Sequence, residues 1–286
     1  MRPWHSSLKV TAEVPDHRLI SLATGVLPEF SPETVIHAAA EAGFNATGIW
    51  CDLDSWNRQR SNQVSRALAE TGLCPLDMEV VWLQPGEPNG SHDALVEIAL
   101  ELGVHNVLCV SSEPDEAQTR RRFEHLCRRA EAGNLRVVLE FLAITEIKSL
   151  HEAVAVVQDV GHPAGGVLVD TLHLHRTGAT AQDLRDIDAQ MMPYLQLCDA
   201  SDALLDDSPQ GLIEDALYLR RLPGDGELPL QAILQQFDPL LPLSLEIRSR
   251  ELMQRYTNDP MGRAQAVFTA TQRFLQRLQQ QQQQQQ

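Results

Sequence analysis

The sequence predicts an α/β protein folded as a (β/α)8 barrel. From residue 19 onward short apolar runs alternate with amphipathic segments of helical period, the pattern of strands and helices around a parallel sheet. Eight such pairs fit into about 260 residues, the size and repeat of a barrel of this kind. A doubly wound open sheet would instead place a phosphate loop after an early strand, and neither GxGxxG nor GxxxxGKS/T occurs.

Each element follows from its local pattern. Residues 19–25 read as the first strand, and Ser31, Pro32 and Glu33 supply an N-cap, an early proline and an acid for a helix over 35–42. The second strand covers 46–50, and the helix after it, 62–70, stops at Gly72. Strand three covers 75–82, with a helix over 92–102. Strand four is 106–110, and Asp115 caps a charged helix that runs to about Ala132. Strand five, 135–139, ends at Glu140, and a helix over 149–160 follows. The sixth strand lies in GVLVDTLHLHRTG at 166–178 and delivers Asp170 and His173; a helix over 181–192 is expected after it. Strand seven is 194–197. A longer connection holds a short helix near 213–221 and the turn PGDGE at 223–227, then a helix at 230–236. Strand eight is 243–246, and a final helix over 262–278 leads into an uninterrupted glutamine tail. The expected organisation is one barrel domain over 1–278 and a disordered tail at 279–286.

Composition narrows the class. A hydrophobic fraction of 43% is ordinary for a globular protein, and no composition break divides the chain. The net charge of -16 argues against nucleic acid as a partner, because phosphate neutralisation needs a basic surface. The clusters Arg120, Arg121, Arg122 and Arg128, Arg129 fall on a glutamate-rich helix and read as a solvated face. Five scattered cysteines form no CxxC pair, consistent with reduced thiols and a cytoplasmic setting. No stretch reaches the roughly 20 apolar residues of a membrane span.

The carboxyl ends of barrel strands share one face, so residues that close successive strands converge in space. Strand five ends in Glu140, strand six in Asp170, strand seven carries Gln196 and strand eight ends in Glu246. Any one acid after a strand has a plain explanation, as a helix cap or an arginine partner. Three acids and an amide on four consecutive strands point to a site. Like charges that close are normally neutralised by a cation, and an oxygen-only set of Glu140, Asp170, Gln196 and Glu246 favours one divalent metal, Mn²⁺ or Mg²⁺, with Co²⁺ or Zn²⁺ possible.

The motifs VLEFLAIT, VLVDTLHLHRTG, YLQLCDA, PGDGELPL and LSLEIRS together resemble the sugar phosphate isomerase/epimerase family of xylose isomerase-like barrels, over nearly the whole chain. That resemblance implies Glu140, Asp170, Gln196 and Glu246 as metal ligands and His173 as a substrate contact. Two departures matter. Many epimerases of the family have His at the position of Gln196, where Gln resembles 3-dehydroshikimate dehydratases, yet EVVWLQPGEP on strand three lacks the phenylalanine-rich motif associated with longer dehydratases.

The reactions of this group begin by removing a proton from carbon next to a carbonyl, through a metal-stabilised enediolate. Glu140 and Glu246 are the candidate acid/base pair, with His173 as a third catalytic candidate. The expected activity is a metal-dependent isomerase or epimerase of a small polyhydroxy carbonyl compound. The alternatives are a dehydratase of 3-dehydroshikimate or inosose type and a non-catalytic barrel that binds a ligand. Arg176, Arg220 and Arg248 are candidates for substrate oxygens, Trp50, Trp82 and Gln84 for the pocket wall, and Asp199 for orienting a ligand residue. Barrels of this kind often form dimers or tetramers, so a homo-oligomer is compatible with the sequence.

Overall fold

A computed structural model describes residues 18–285. Eight parallel strands close into a barrel in sequence order, β1 Ile20–Leu22, β2 Ala46–Trp50, β3 Cys74–Leu83, β4 Asn106–Ser111, β5 Arg136–Glu140, β6 Gly165–Asp170, β7 Leu195–Leu197 and β8 Leu243–Leu245. Pairing of Ser21 with Ser244 shuts the ring between β1 and β8. The helices between them are α1 Pro32–Ala42, α2 Arg58–Thr71, α3 Asp93–Glu101, α4 Glu116–Ala130, α5 Leu150–Val160, α6 Thr171–Arg176, α7 Pro209–Tyr218 and α8 Leu230–Leu234. Beyond β8 come α9 Arg250–Arg255 and α10 Pro260–Gln285.

Strand alternation sorts the core into two parts. On β5, Val137 and Leu139 face the helices in the larger apolar cluster, whereas Val138 faces the bore with Leu76, Leu108, Leu168 and Tyr194. The same period of two turns Glu140 into the bore one step beyond Val138. Each fully buried aliphatic side chain contributes about 1.5–3 kcal/mol. That packing fixes where the strands end, and so where the acids sit.

The helices end and begin where local chemistry dictates. Ser149 and Glu152 form a reciprocal capping box on α5. Gly43, with φ of 99°, ends α1 in a left-handed conformation that a side chain would strain.

Three sequence expectations are corrected. The helix expected over 181–192 is replaced by turns and a short 3-10 segment at Ala189–Met191. Acids there take backbone donors for themselves, as when Thr180 N donates to Asp183 Oδ2 at 2.7 Å. Instead α6 starts at once after β6, because Asp170 caps it. The glutamine segment, expected to be disordered from residue 279, continues α10 to Gln285. It contains no breaker, and glutamine is a good helix former once a helix is under way. The short helix α9, capped by Ser249, was not anticipated.

The basic clusters of α4 are consumed by acids. Arg120 pairs with Glu116 and Asp159, Arg128 with Glu124, and Arg129 with Glu97. All five cysteines are free thiols. Among the described residues no helix is long and apolar enough to cross a membrane.

Candidate metal centre

β6 delivers Asp170 as its last residue, fully buried. Asp170 Oδ1 accepts from Leu172 N at 2.7 Å and His173 N at 3.3 Å, which caps α6 and turns His173 back over the barrel mouth. Glu140 ends the neighbouring β5, and ligand atoms of Glu140, Asp170 and His173 lie within 4.8 Å of one another. Gln196 pairs with Asp170 across β6 and β7. Glu246 follows β8 and is 6% exposed.

Arg220 occupies the middle of this group. Its Nη1 donates to Asp170 Oδ2 at 2.6 Å and to the Glu246 carbonyl at 3.2 Å, and its Nη2 lies 3.3 Å from His173 Nε2. Nε donates to the Ala216 carbonyl at 2.9 Å. The guanidinium is thus a fixed internal cation and not an open anion site. Its segment is held from both sides by antiparallel bridges of Asp199 with Arg221 and Leu219 with Ser249.

Electrostatics follow from burial with little compensation. Burial raises Glu140 well above the usual carboxylate range, reinforced by Asp170. Burial also raises Glu246, although Arg220 and Arg248 oppose it. For Asp170 burial pulls upward, but the Arg220 charge wins and holds the carboxyl below its ordinary value. Burial pushes His173 down to about 4, so the ring is neutral near pH 7.

Two further acids face the bore from β3. Asp77 is fully buried, pushed up to about 7 by burial and then by Glu246, with the hydroxyls of Ser244 and Tyr194 beside it. Glu79 is raised well above its usual range by burial and by Glu246, and its Oε2 accepts from Thr24 Oγ1 at 2.9 Å. Neither was singled out from the sequence. The signal was present in LDMEVVWL, where acids at i and i+2 in an apolar strand share one face.

The remaining expected site residues divide. Trp50 stands 46% exposed at the end of β2 and, with Arg248, lines a recess of about 180 Å³. Trp82, also exposed, donates from Nε1 to Ser112 Oγ at 2.8 Å. Arg176 is directed to Asp215, at 2.8 Å, and to the Ser201 and Asp202 carbonyls. Asp199 accepts from Ala200 N, Gly224 N and Leu228 N and thereby shapes the PGDGE turn, so it orients backbone and not a ligand residue. Gln84 is exposed; its backbone accepts from Arg122 and donates to Glu87.

The donor set fits a divalent cation. Glu246 Oε2 is buried with no hydrogen-bond partner, and among the described residues the side chains of Glu140 and Gln196 make no hydrogen bond either. A Cβ at Gly25 would overlap Glu246 Oε1, so the glycine is what leaves room for that carboxylate. Three uncommitted oxygen-bearing side chains beside Asp170 form a hard site, with His173 close by and its Nε2 turned to Arg220.

A closed parallel barrel with such a group at its strand ends defines a (β/α)8 barrel with a candidate metal centre. Residues 36–277 match the family model of the xylose isomerase-like TIM barrel, and the chain belongs to that family. No curated protein matches it by sequence. Among solved structures it is similar to a xylose isomerase-like TIM barrel/4-hydroxyphenylpyruvate dioxygenase fusion protein, at 22% identity and TM-score 0.76, covering 93% of this chain. This chain spans less than half of that fusion protein, 44% of its length. The IolI protein with a bound zinc atom is similar at 17% identity and TM-score 0.74, covering 91% of this chain and 99% of the other. A D-allulose 3-epimerase from Methylomonas sp. and a probable 3-DHS dehydratase from Bacillus anthracis each share 16% identity, with TM-scores of 0.65 and 0.67. They cover 91% and 89% of this chain and 98% of each of theirs. At these identities the likeness concerns the fold, whose members include several kinds of enzyme.

Proposed function

We propose that this chain is a divalent-metal-dependent isomerase or epimerase of a small polyhydroxy carbonyl compound. The observation that carries the reading is the approach of Glu140, Asp170 and His173 to within 4.8 Å, with uncommitted Gln196 and Glu246 on the next two strands. Glu140, Asp170, Gln196 and Glu246 would hold the ion, Mn²⁺ or Mg²⁺ by donor type. When bound, such an ion supplies Lewis acidity to a substrate oxygen.

The chain's own residues supply the rest. Glu140 and Glu246 stand on β5 and after β8, so they bracket the mouth as a pair able to remove and return a carbon-bound proton. In the metal-free chain burial raises both carboxyl groups, and a bound cation would favour their ionised, proton-accepting form. His173, neutral and 7% exposed, is placed to bond a substrate oxygen while Arg220 fixes the ring.

A dehydratase on the same frame begins with the same proton removal and ends by expelling a β-hydroxyl. The specific support for that second reading is Gln196, which stands where many epimerases of the family have His. The test is exchange of carbon-bound hydrogen with deuterated solvent, together with product analysis, over a panel of ketoses, inososes and 3-dehydroshikimate. Exchange dependent on added metal and lost in Glu246→Gln supports the proposal. A metal-loaded chain that exchanges no proton on any of them refutes it.

A further inference from the structure

Of the three arginines that the sequence pointed to, Arg176, Arg220 and Arg248, two are spent. Arg220 is 4% exposed and engaged by Asp170, His173 and two carbonyls. Arg176 is engaged by Asp215 and two further carbonyls. Arg248 differs. It is half-buried, and among the described residues its guanidinium makes no hydrogen bond and no ion pair within 4.0 Å. Its five N–H donors have no protein acceptor and remain open to solvent, so a ligand in the recess can take them over from water.

Arg248 lines the 180 Å³ recess together with Thr24, Leu27, Phe30, Gly48 and Trp50, and it is the one charged residue on that wall. The recess adjoins the acids. Thr24 donates to Glu79, and a Cβ at Gly25 would meet both Glu246 and, at 2.9 Å, Arg248 Cγ. Its volume is below the roughly 300–1,000 Å³ of drug-sized sites, so it suits one end of a small molecule.

We infer that this recess between β1, β2 and β8 receives a carboxylate-bearing end of the substrate, paired to Arg248 and covered by the Trp50 indole. The inference rests on the mouth being a site of proton abstraction, and it narrows the substrate to carbonyl compounds that carry a carboxylate. A planar monoanion matches one guanidinium through two parallel hydrogen bonds. A phosphate dianion would bring more charge than one arginine balances.

The test titrates the Mn²⁺-loaded chain with cyclohexanecarboxylate, cyclohexanecarboxamide and cyclohexyl phosphate, read by calorimetry and by tryptophan fluorescence with Trp50→Phe as control. The carboxylate binds about 10-fold or more tightly than the carboxamide. Arg248→Met removes that preference and Arg248→Lys keeps part of it, which also separates a lost charge from a lost fold. Equal binding of carboxylate and carboxamide, preference for the phosphate, no binding of any probe, or an unchanged preference in Arg248→Met overturns the inference. Glu140→Gln, on the far side of the mouth, separates this from the functional reading: carboxylate preference survives there while proton exchange stops. Selective carboxylate binding by a chain that exchanges no carbon-bound proton refutes the functional reading alone, and exchange without the preference refutes the recess alone.

Discussion

Arg220 Nη1 lies 2.6 Å from Asp170 Oδ2, between side chains 4% and 0% exposed, and the same guanidinium faces His173 Nε2 at 3.3 Å. A guanidinium offers only donors, so His173 Nε2 accepts and the ring proton sits on Nδ1. One cation therefore sets both the charge of Asp170 and the tautomer of His173.

Arg220→Met leaves Asp170 buried and uncompensated, and loss of one partner of such a pair costs about 3–5 kcal/mol. Denaturant unfolding should show that loss. The double variant Arg220→Met/Asp170→Asn should be less destabilised than the sum of its parts.

Glu140→Gln and Glu246→Gln keep the shape of the mouth but remove a charge each. Metal titration should show affinity reduced by at least about 10-fold, the order seen when groups supporting a metal are removed. Removing the carboxylate repulsion should leave the melting temperature of the metal-free chain unchanged or higher.

The pH dependence of the metal-free chain has a defined sign at Asp77. Its native carboxyl is pushed up to about 7 from an ordinary 3.8, so between those values the native chain holds a proton that the unfolded chain has released. The stabilisation this gives is complete below the lower value and is lost as pH rises through about 7. His173, pushed down to about 4, acts oppositely: stability falls as pH drops from 6.5 toward 4. Comparing wild type with Asp77→Asn cancels the histidine. The advantage of Asp77→Asn in melting temperature should grow from pH 5 to 7 and then level off.

Arg176 and Asp215 form a buried pair, 5% and 8% exposed, that ties α6 to α7. Asp215→Asn should raise hydrogen exchange across residues 200–219 while leaving the KM of any substrate nearly unchanged. An effect on KM with no change in exchange would return Arg176 to the substrate.

Gln196→His replaces an amide oxygen with an imidazole, a ligand that suits Zn²⁺ better than Mg²⁺. Competition titrations should show the Zn²⁺ over Mg²⁺ preference rising by about 10-fold.

The barrel was legible because strand alternation and polar strand ends are local features of the sequence. Glu140 and Asp170 close their strands, Glu246 follows one and Gln196 sits within the three residues of β7, so counting strands placed them. Asp77 and Glu79 escaped because they lie inside a long strand, and attention to strand ends passes over them. Arg220 could be named but its posture could not. Its inward course depends on α7 and on a bridge from Leu219 to Ser249, contacts between segments distant in sequence. Asp199 misled for a related reason: the backbone amides of Gly224 and Leu228 at a turn distant in sequence, with that of Ala200 beside it, claim its carboxylate, and no sequence spacing announces that. The helix expected over 181–192 failed because Asp183 and Asp188 prefer to bind nearby amides.

Gly25 gives the mouth a sensitivity to volume alone. Its missing Cβ is the space that Glu246 Oε1 occupies, so a single methyl group there acts as a plug. An alanine there would turn the Glu246 carboxylate aside and press on Arg248 Cγ without altering any charged residue of the mouth.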